Sequence, residues 1–193
     1  MPVQTFYRRY KFAPTPDLEN ALFGDFNRRR YAAETMLDDP TQENDRLFFV
    51  EKGVVQGFYI DHAGEEITFA LAGESEVILI PPKLFGVAPP ADYLRALEAV
   101  TVFEMTRADL RKLQQSSHEF ALLCLQLTEE SIRRHQERAR MLHNRSADSR
   151  YAWFLERHAL LTNRVSIGII ASYLGMARTT LSRLRGKLAR QRE

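Results

Sequence analysis

The stretch Ser166-Ile-Gly-Ile-Ile-Ala-Ser-Tyr-Leu-Gly175-Met-Ala-Arg-Thr-Thr-Leu-Ser-Arg-Leu-Arg-Gly-Lys-Leu188 reads as two short helices joined at a glycine, the minimum that a helix-turn-helix requires. Ile167, Ile170, Ala171 and Leu174 recur at helical spacing and form the buried face of the first helix. Ala171 is small enough to let the second helix approach closely. Gly175 suits the left-handed conformation that ends one helix and redirects the chain. The second helix buries Leu181, Leu184 and Leu188, which leaves Arg178, Thr179, Ser182, Arg183 and Arg185 on its other faces. That set suits groove reading, because arginine's planar fork matches the acceptors of guanine and hydroxyls bond to bases or phosphates. Lys187, Arg190 and Arg192 lie further along, placed for phosphate or solvent. A helical hairpin with a solvated basic face is the alternative.

Charge along the chain favours the first reading. The net charge is only +2, yet residues 133–193 hold 14 Lys and Arg against four Asp and Glu, a net of +10. Residues 1–132 are left with 13 against 21, a net of −8. A basic terminal third on an acidic body is the footprint of a polyanion-binding module.

Upstream, a helix from Ala147 or Asp148 buries Tyr151, Phe154, Leu155 and Leu161, with Trp153 as part of the same small core. Before it, a Gly- and Pro-free helix runs from about Ser116 to Leu142, carrying Phe120, Leu123, Cys124 and Leu127 at three- and four-residue intervals, with Ile132 further along. That stripe serves equally for pairing with a second copy or for packing on its own domain. Thr106 with Asp109 caps a short helix containing Leu110 and Leu113.

The acidic body reads as short strands. Arg46–Gly53, Val54–Asp61 and Glu66–Leu71 are separated by glycine-marked turns, and Tyr93–Met105 resumes as strands. This pattern predicts an antiparallel sandwich or barrel. The prolines of Pro81-Pro82 and Pro89-Pro90 mark loops or edges, since proline donates nothing to a ladder. Thr15-Pro16-Asp17 opens a short helix through Leu18, Ala21 and Leu22 that Gly24 ends.

Several function classes are set aside. Among 193 residues, 45% hydrophobic and 27% charged, the composition is that of an ordinary globular protein. There is no run of ~20 apolar residues for a membrane span, and Arg8, Arg9 and Lys11 leave no apolar signal core, so a cytoplasmic protein is expected. The single Cys124 precludes a disulfide framework or a Cys-ligated iron-sulfur cluster. His62, His118, His135, His143 and His158 show no metal spacing, and no phosphate loop or nucleophile elbow is present. No metal site and no enzyme are expected.

The whole chain resembles the Crp/Fnr superfamily of bacterial regulators, in the form common in Bacteroidetes. The resemblance is carried by Ile170–Arg185, by Phe48–Asp61 with Glu65-Glu-Ile-Thr68, and by Ser149-Arg-Tyr-Ala-Trp-Phe-Leu155. It implies an α+β fold with three parts. Residues 1–115 form an antiparallel β-roll like a cyclic-nucleotide-binding jelly roll, 116–143 a dimerisation helix with Phe120, Leu123, Cys124 and Leu127 at the seam, and 144–193 a winged helix-turn-helix. It further implies a homodimeric transcription regulator whose partners are double-stranded DNA and RNA polymerase. Residues aligned with Arg178, Thr179 and Arg183 contact base edges in that family, and the one aligned with Ser166 contacts phosphate; Ser182, Arg185 and Lys187 complete the expected DNA-binding set.

Three departures from the family pattern matter. Thr179 stands where a glutamate is usual, so the familiar half-site is not expected, because a carboxylate accepts from cytosine and threonine need not. Any wing after Leu188 is expected to be short or absent. The family's cyclic-nucleotide binders use an Arg-Ser or Arg-Thr pair on the phosphate and a Gly-Glu on the ribose. Here Gly73-Glu74 is present, but Pro90-Ala91 occupies the place of the pair. Neither residue supplies a charge-assisted bond to a buried anion, and Arg95 falls on a later strand position, read as exposed. Cyclic AMP in the usual mode is therefore not expected, and no histidine sits in a pattern that favours haem. The competing function is a ligand sensor that acts through other proteins.

Overall fold

A computed structural model of the chain describes residues 2–24, 27–40, 46–79, 92–144 and 146–190. Two helices come first, α1 (Pro2–Tyr10) and α2 (Pro16–Phe23). Helix α2 starts where Thr15 Oγ1 accepts from the Leu18 amide, 3.3 Å away, and Pro16 at the first turn forgoes an N–H that would have no helical partner. Helix α1 carries no such cap signal in its sequence. It is held instead by Phe6, 3% exposed, which packs edge-on against Phe49.

Eight strands follow: β1 (Arg28–Tyr31), β2 (Met36–Asp38), β3 (Arg46–Lys52), β4 (Val55–Ile60), β5 (Glu66–Ala72), β6 (Val77–Leu79), β7 (Asp92–Ala96) and β8 (Val100–Thr106). They form two four-stranded antiparallel sheets in the orders β1-β8-β3-β6 and β2-β7-β4-β5. The double sheet is a roll rather than a closed barrel. Both Pro-Pro pairs, together with Pro90-Ala91, fall outside the described residues.

Strand alternation sorts the apolar side chains into two cores. Phe48 and Val50 of β3 and Val100 and Val102 of β8 point between the sheets, meeting Val55, Leu94 and Ala96. Phe49 of β3 with Phe103 and Met105 of β8 point outward to α1 and α2 and to the two helices after the roll. β1 is the strand that its sequence hides. Arg28-Arg29-Arg30 looks like a solvated charge run, but it is an edge strand on β8 in which Arg28 Nε donates to Glu51 at 2.8 Å.

Helix α3 (Arg107–Ser116) starts at Thr106, whose Oγ1 accepts from the Asp109 amide at 3.2 Å. Helix α4 (His118–Asn144) is the long element expected. Then come α5 (Ala147–Arg157), capped by Ser146, a single 3-10 turn (Ala159–Leu161), α6 (Ile167–Tyr173) and α7 (Arg178–Arg190). Among the described residues this C-terminal segment is helical throughout, and no strand flanks α7 to make a wing.

The helical unit is not detached from the roll. Its core of Phe154, Ile170, Leu174 and Leu181, each fully buried, continues into Val54 and Leu71 of the roll and Met141 at the end of α4.

Candidate nucleic-acid interface

Helices α6 and α7 make the expected motif. Ser166 caps α6, its Oγ accepting from the Ile169 amide at 3.3 Å. The turn rests on Gly175 at φ +59, where an added Cβ would lie 2.8 Å from Leu142 Cδ2. The last carbonyls are not left bare: Arg150 Nη1 donates to Leu174 O at 2.8 Å and Gly175 O at 2.9 Å.

On α7, Leu181 is fully buried and Leu184 packs against the same core. Arg178, Thr179, Ser182 and Arg183 are exposed and share one face, one turn apart. Arg185, grouped with them by sequence, has a different position. Arg185 is half-buried and ties the domain together, donating from Nε to Tyr151 Oη at 3.2 Å and from Nη2 to Thr162 O at 3.0 Å. Leu188, assigned to the buried face, is 36% exposed. Lys187 is exposed, with its Nζ 3.8 Å from Asp148. Trp153 lies against the small core, its ring stacked with Tyr173 at 6.4 Å.

The residues assigned to the self-pairing seam are largely used within the protomer. Phe120 and Leu123 are 3% exposed in the core against the roll, with Cys124 and Leu127 packed at its margin. Burial pushes the Cys124 thiol pKa up. The opposite face of α4 is apolar and open: Leu122, Leu125 and Ile132 are 46%, 61% and 54% exposed.

The effector-pocket candidates also find partners inside the protein. Glu74 accepts from the Gly53 amide at 2.9 Å and takes both arms of Arg164, at 2.7 and 3.0 Å. Arg164 hydrogen bonding holds its carboxyl well below the usual range, at about 2. Arg164 also donates to Glu98, and these two carboxylates raise its own pKa. Gly73 sits beside Leu161, and its amide donates to Glu76 at 2.9 Å. Arg95, expected on an exposed strand position, is mostly covered. It forks onto Glu66 at 2.6 and 3.0 Å, donates to Gln56 Oε1 at 2.8 Å and lies 4.6 Å over the Phe58 ring. Gln56 in turn donates to Thr68 Oγ1 at 2.8 Å, so a connected polar network occupies this part of the roll.

The contacts of Arg164 join the helical unit to the roll, and others do the same. Ser172 Oγ on α6 accepts from the Thr68 amide at 2.9 Å and donates to Glu66 O at 3.0 Å. Arg138 on α4 donates to Thr68 O at 2.9 Å and Tyr173 O at 3.3 Å, bridging both. Sequence reasoning missed Arg164, Ser172 and Arg138, because contacts across about 70 to 106 residues leave no local pattern. No group of three or more His, Cys, Asp or Glu that could hold a metal exists among the described residues, and no helix there is long and apolar enough to cross a membrane.

A two-sheet roll, a long connecting helix and a helical module with an exposed basic helix make up the architecture. No family model matches the chain, and no curated protein matches it in sequence. Among solved structures the chain is similar to FixK2 from Bradyrhizobium japonicum, at 18% identity and a TM-score of 0.73, over 85% of this chain and 84% of that one. It is similar to a CooA variant from Carboxydothermus hydrogenoformans at 17% identity and 0.70, over 96% and 84%. It is also similar to a Crp/Fnr-family transcriptional regulator from Thermus thermophilus at 18% and 0.65, over 85% and 86%. The chain shares the fold of these structures.

Proposed function

We propose that this protein is a sequence-specific DNA-binding transcription regulator that acts as a homodimer on an approximately palindromic site, without cyclic AMP. The observation that carries the reading is the division of α7. Leu181 anchors one side, while Arg178, Thr179, Ser182 and Arg183 stand free on the other, in the most basic third of the chain. Two arginine forks with two hydroxyls fit a major-groove edge.

The open stripe of Leu122, Leu125 and Ile132 supports the homodimer. Its spacing of three and seven residues is that of a coiled-coil seam, and exposed side chains of this size on one helix face call for a partner surface. Independence from cyclic AMP is supported by Pro90-Ala91 in sequence and by the commitment of Glu74 to Arg164. A ribose hydroxyl would have to displace a bidentate ion pair. Sedimentation with and without a mixed-sequence duplex tests the reading: a dimer that retains DNA at moderate salt is expected. A monomer at high concentration that retains none would remove it.

A further inference from the structure

Beside α7 runs the segment that leads into α6. Leu161 and Val165 are buried in the same core as Leu181 of α7, and Arg185 of α7 donates to Thr162 O at 3.0 Å. Arg164 lies between these anchors, on the flank of the helix that carries Arg178, Thr179, Ser182 and Arg183.

A guanidinium has two edges that match a carboxylate or a phosphate, and both edges of Arg164 are taken. The end edge, Nη1 and Nη2, meets the two oxygens of Glu74 at 3.0 and 2.7 Å. The side edge, Nε and Nη2, faces Glu98, with Nε 3.5 Å from Oε2 and Nη2 donating to Oε1. The two carboxylates are held differently. Glu74 also accepts from the Gly53 amide at 2.9 Å. Glu98 stands in the turn between β7 and β8 and is the most exposed of the three side chains, at 36%. One guanidinium therefore serves two carboxylates, and the second sits at the water-facing side with the charge and the fork geometry of a phosphate.

We propose that the side edge of Arg164 is a ligand for a backbone phosphate of duplex DNA, and that Glu98 occupies this edge in the free protein as an internal competitor. The inference rests on the DNA-binding reading above. An α-helix about 10 to 12 Å across fills a major groove about 12 Å wide, which sets residues on its flanks against the phosphates that border the groove. The Glu74 fork stays in place during the exchange and keeps the guanidinium aimed, so only the carboxylate of the exposed turn is displaced. Glu98 then returns to water, at small cost for a pair that is already part-exposed. Ser172 and Arg138 hold the helical unit on the roll throughout. Affinity for any duplex is thus set in part by an acid on the roll, at a position that touches no base.

Phosphate contacts carry no sequence information, so a mixed-sequence duplex suffices for the test. Anisotropy titration of the full chain should show Glu98→Gln binding about three- to ten-fold more tightly than the unaltered protein, with Glu98→Ala alike. The gain should require the arginine: Arg164→Gln and the double variant Glu98→Gln, Arg164→Gln should bind within about two-fold of each other. In the Glu98→Gln background, loss of Arg164 should reduce the slope of log affinity against log salt by about one. Unchanged or weaker binding by Glu98→Gln overturns the proposal. So does a gain of the same size without Arg164, which is a bulk charge effect. Both results leave the DNA-binding reading standing, whereas duplex binding by none of these proteins removes that reading and this inference together.

Discussion

Arg164 holds Glu74 through both arms of its guanidinium, at 2.7 and 3.0 Å, across 90 residues of sequence. One partner stands two residues ahead of α6 and the other in the turn between β5 and β6, so a single fork fixes the helical unit to the roll. Bidentate Arg–carboxylate pairs add geometric specificity to their energy.

The Glu74 carboxyl titrates at about 2 in the folded protein against an ordinary 4.5. A depressed pKa means that the contact stabilises fully above about pH 4.5 and is lost as the pH falls towards 2. Glu74→Gln should therefore lower stability by about 1 kcal/mol at pH 7, the half-exposed setting reducing it below a fully buried pair. Urea unfolding of both proteins at pH 7 and pH 3 checks this. The gap between them should narrow at the lower pH.

On α7, neighbouring residues should behave differently because their surroundings differ. Arg183→Ala should relax base preference at one position and cost about 1 to 3 kcal/mol in binding, while Lys187→Ala should weaken all sequences alike and reduce the salt slope by about 1. Arg185→Ala breaks contacts with Tyr151 and Thr162. Its first effect should be a lower melting temperature, visible without DNA. Anisotropy on matched and mismatched duplexes, with thermal unfolding beside it, separates the three.

The two faces of α4 give opposite outcomes. Phe120→Ala opens a cavity in the roll's outer core and should cost about 3 to 5 kcal/mol of stability. Leu125→Glu, at a position 61% exposed, should leave the unfolding midpoint of the protomer nearly unchanged but shift sedimentation from dimer to monomer.

Gly175→Ala is expected to destabilise the motif by about 1 to 2 kcal/mol, since a non-glycine residue is strained at positive φ. The methyl group would also press on Leu142, 2.8 Å away. Circular dichroism during thermal unfolding measures the loss.

Sequence periodicity was enough for the elements whose signal is local. The glycine turn at 175, the Leu181 anchor, the Thr15 and Thr106 caps and the glycine-punctuated strands β3 to β5 all lie where their spacing predicts. What stayed hidden depends on neighbours distant in sequence. On α4, two apolar stripes are interleaved, and which one packs inward is decided by Phe49 and Phe103 on the roll. Arg185 looks like a groove reader until Tyr151 and Thr162 are brought beside it. Glu74 reads with Gly73 as a candidate for the effector pocket, and only the fold pairs it with Arg164 instead.

The most direct measurement is selection of bound duplexes from random DNA by the full-length protein, in parallel with and without cyclic AMP. A dimer presenting two copies of α7 predicts an enriched, approximately palindromic site with half-site centres about 34 Å apart, recovered equally in both arms. No enrichment over the starting pool would contradict DNA recognition by α7, and a site recovered only with cyclic AMP would contradict the account of Glu74 and Pro90-Ala91.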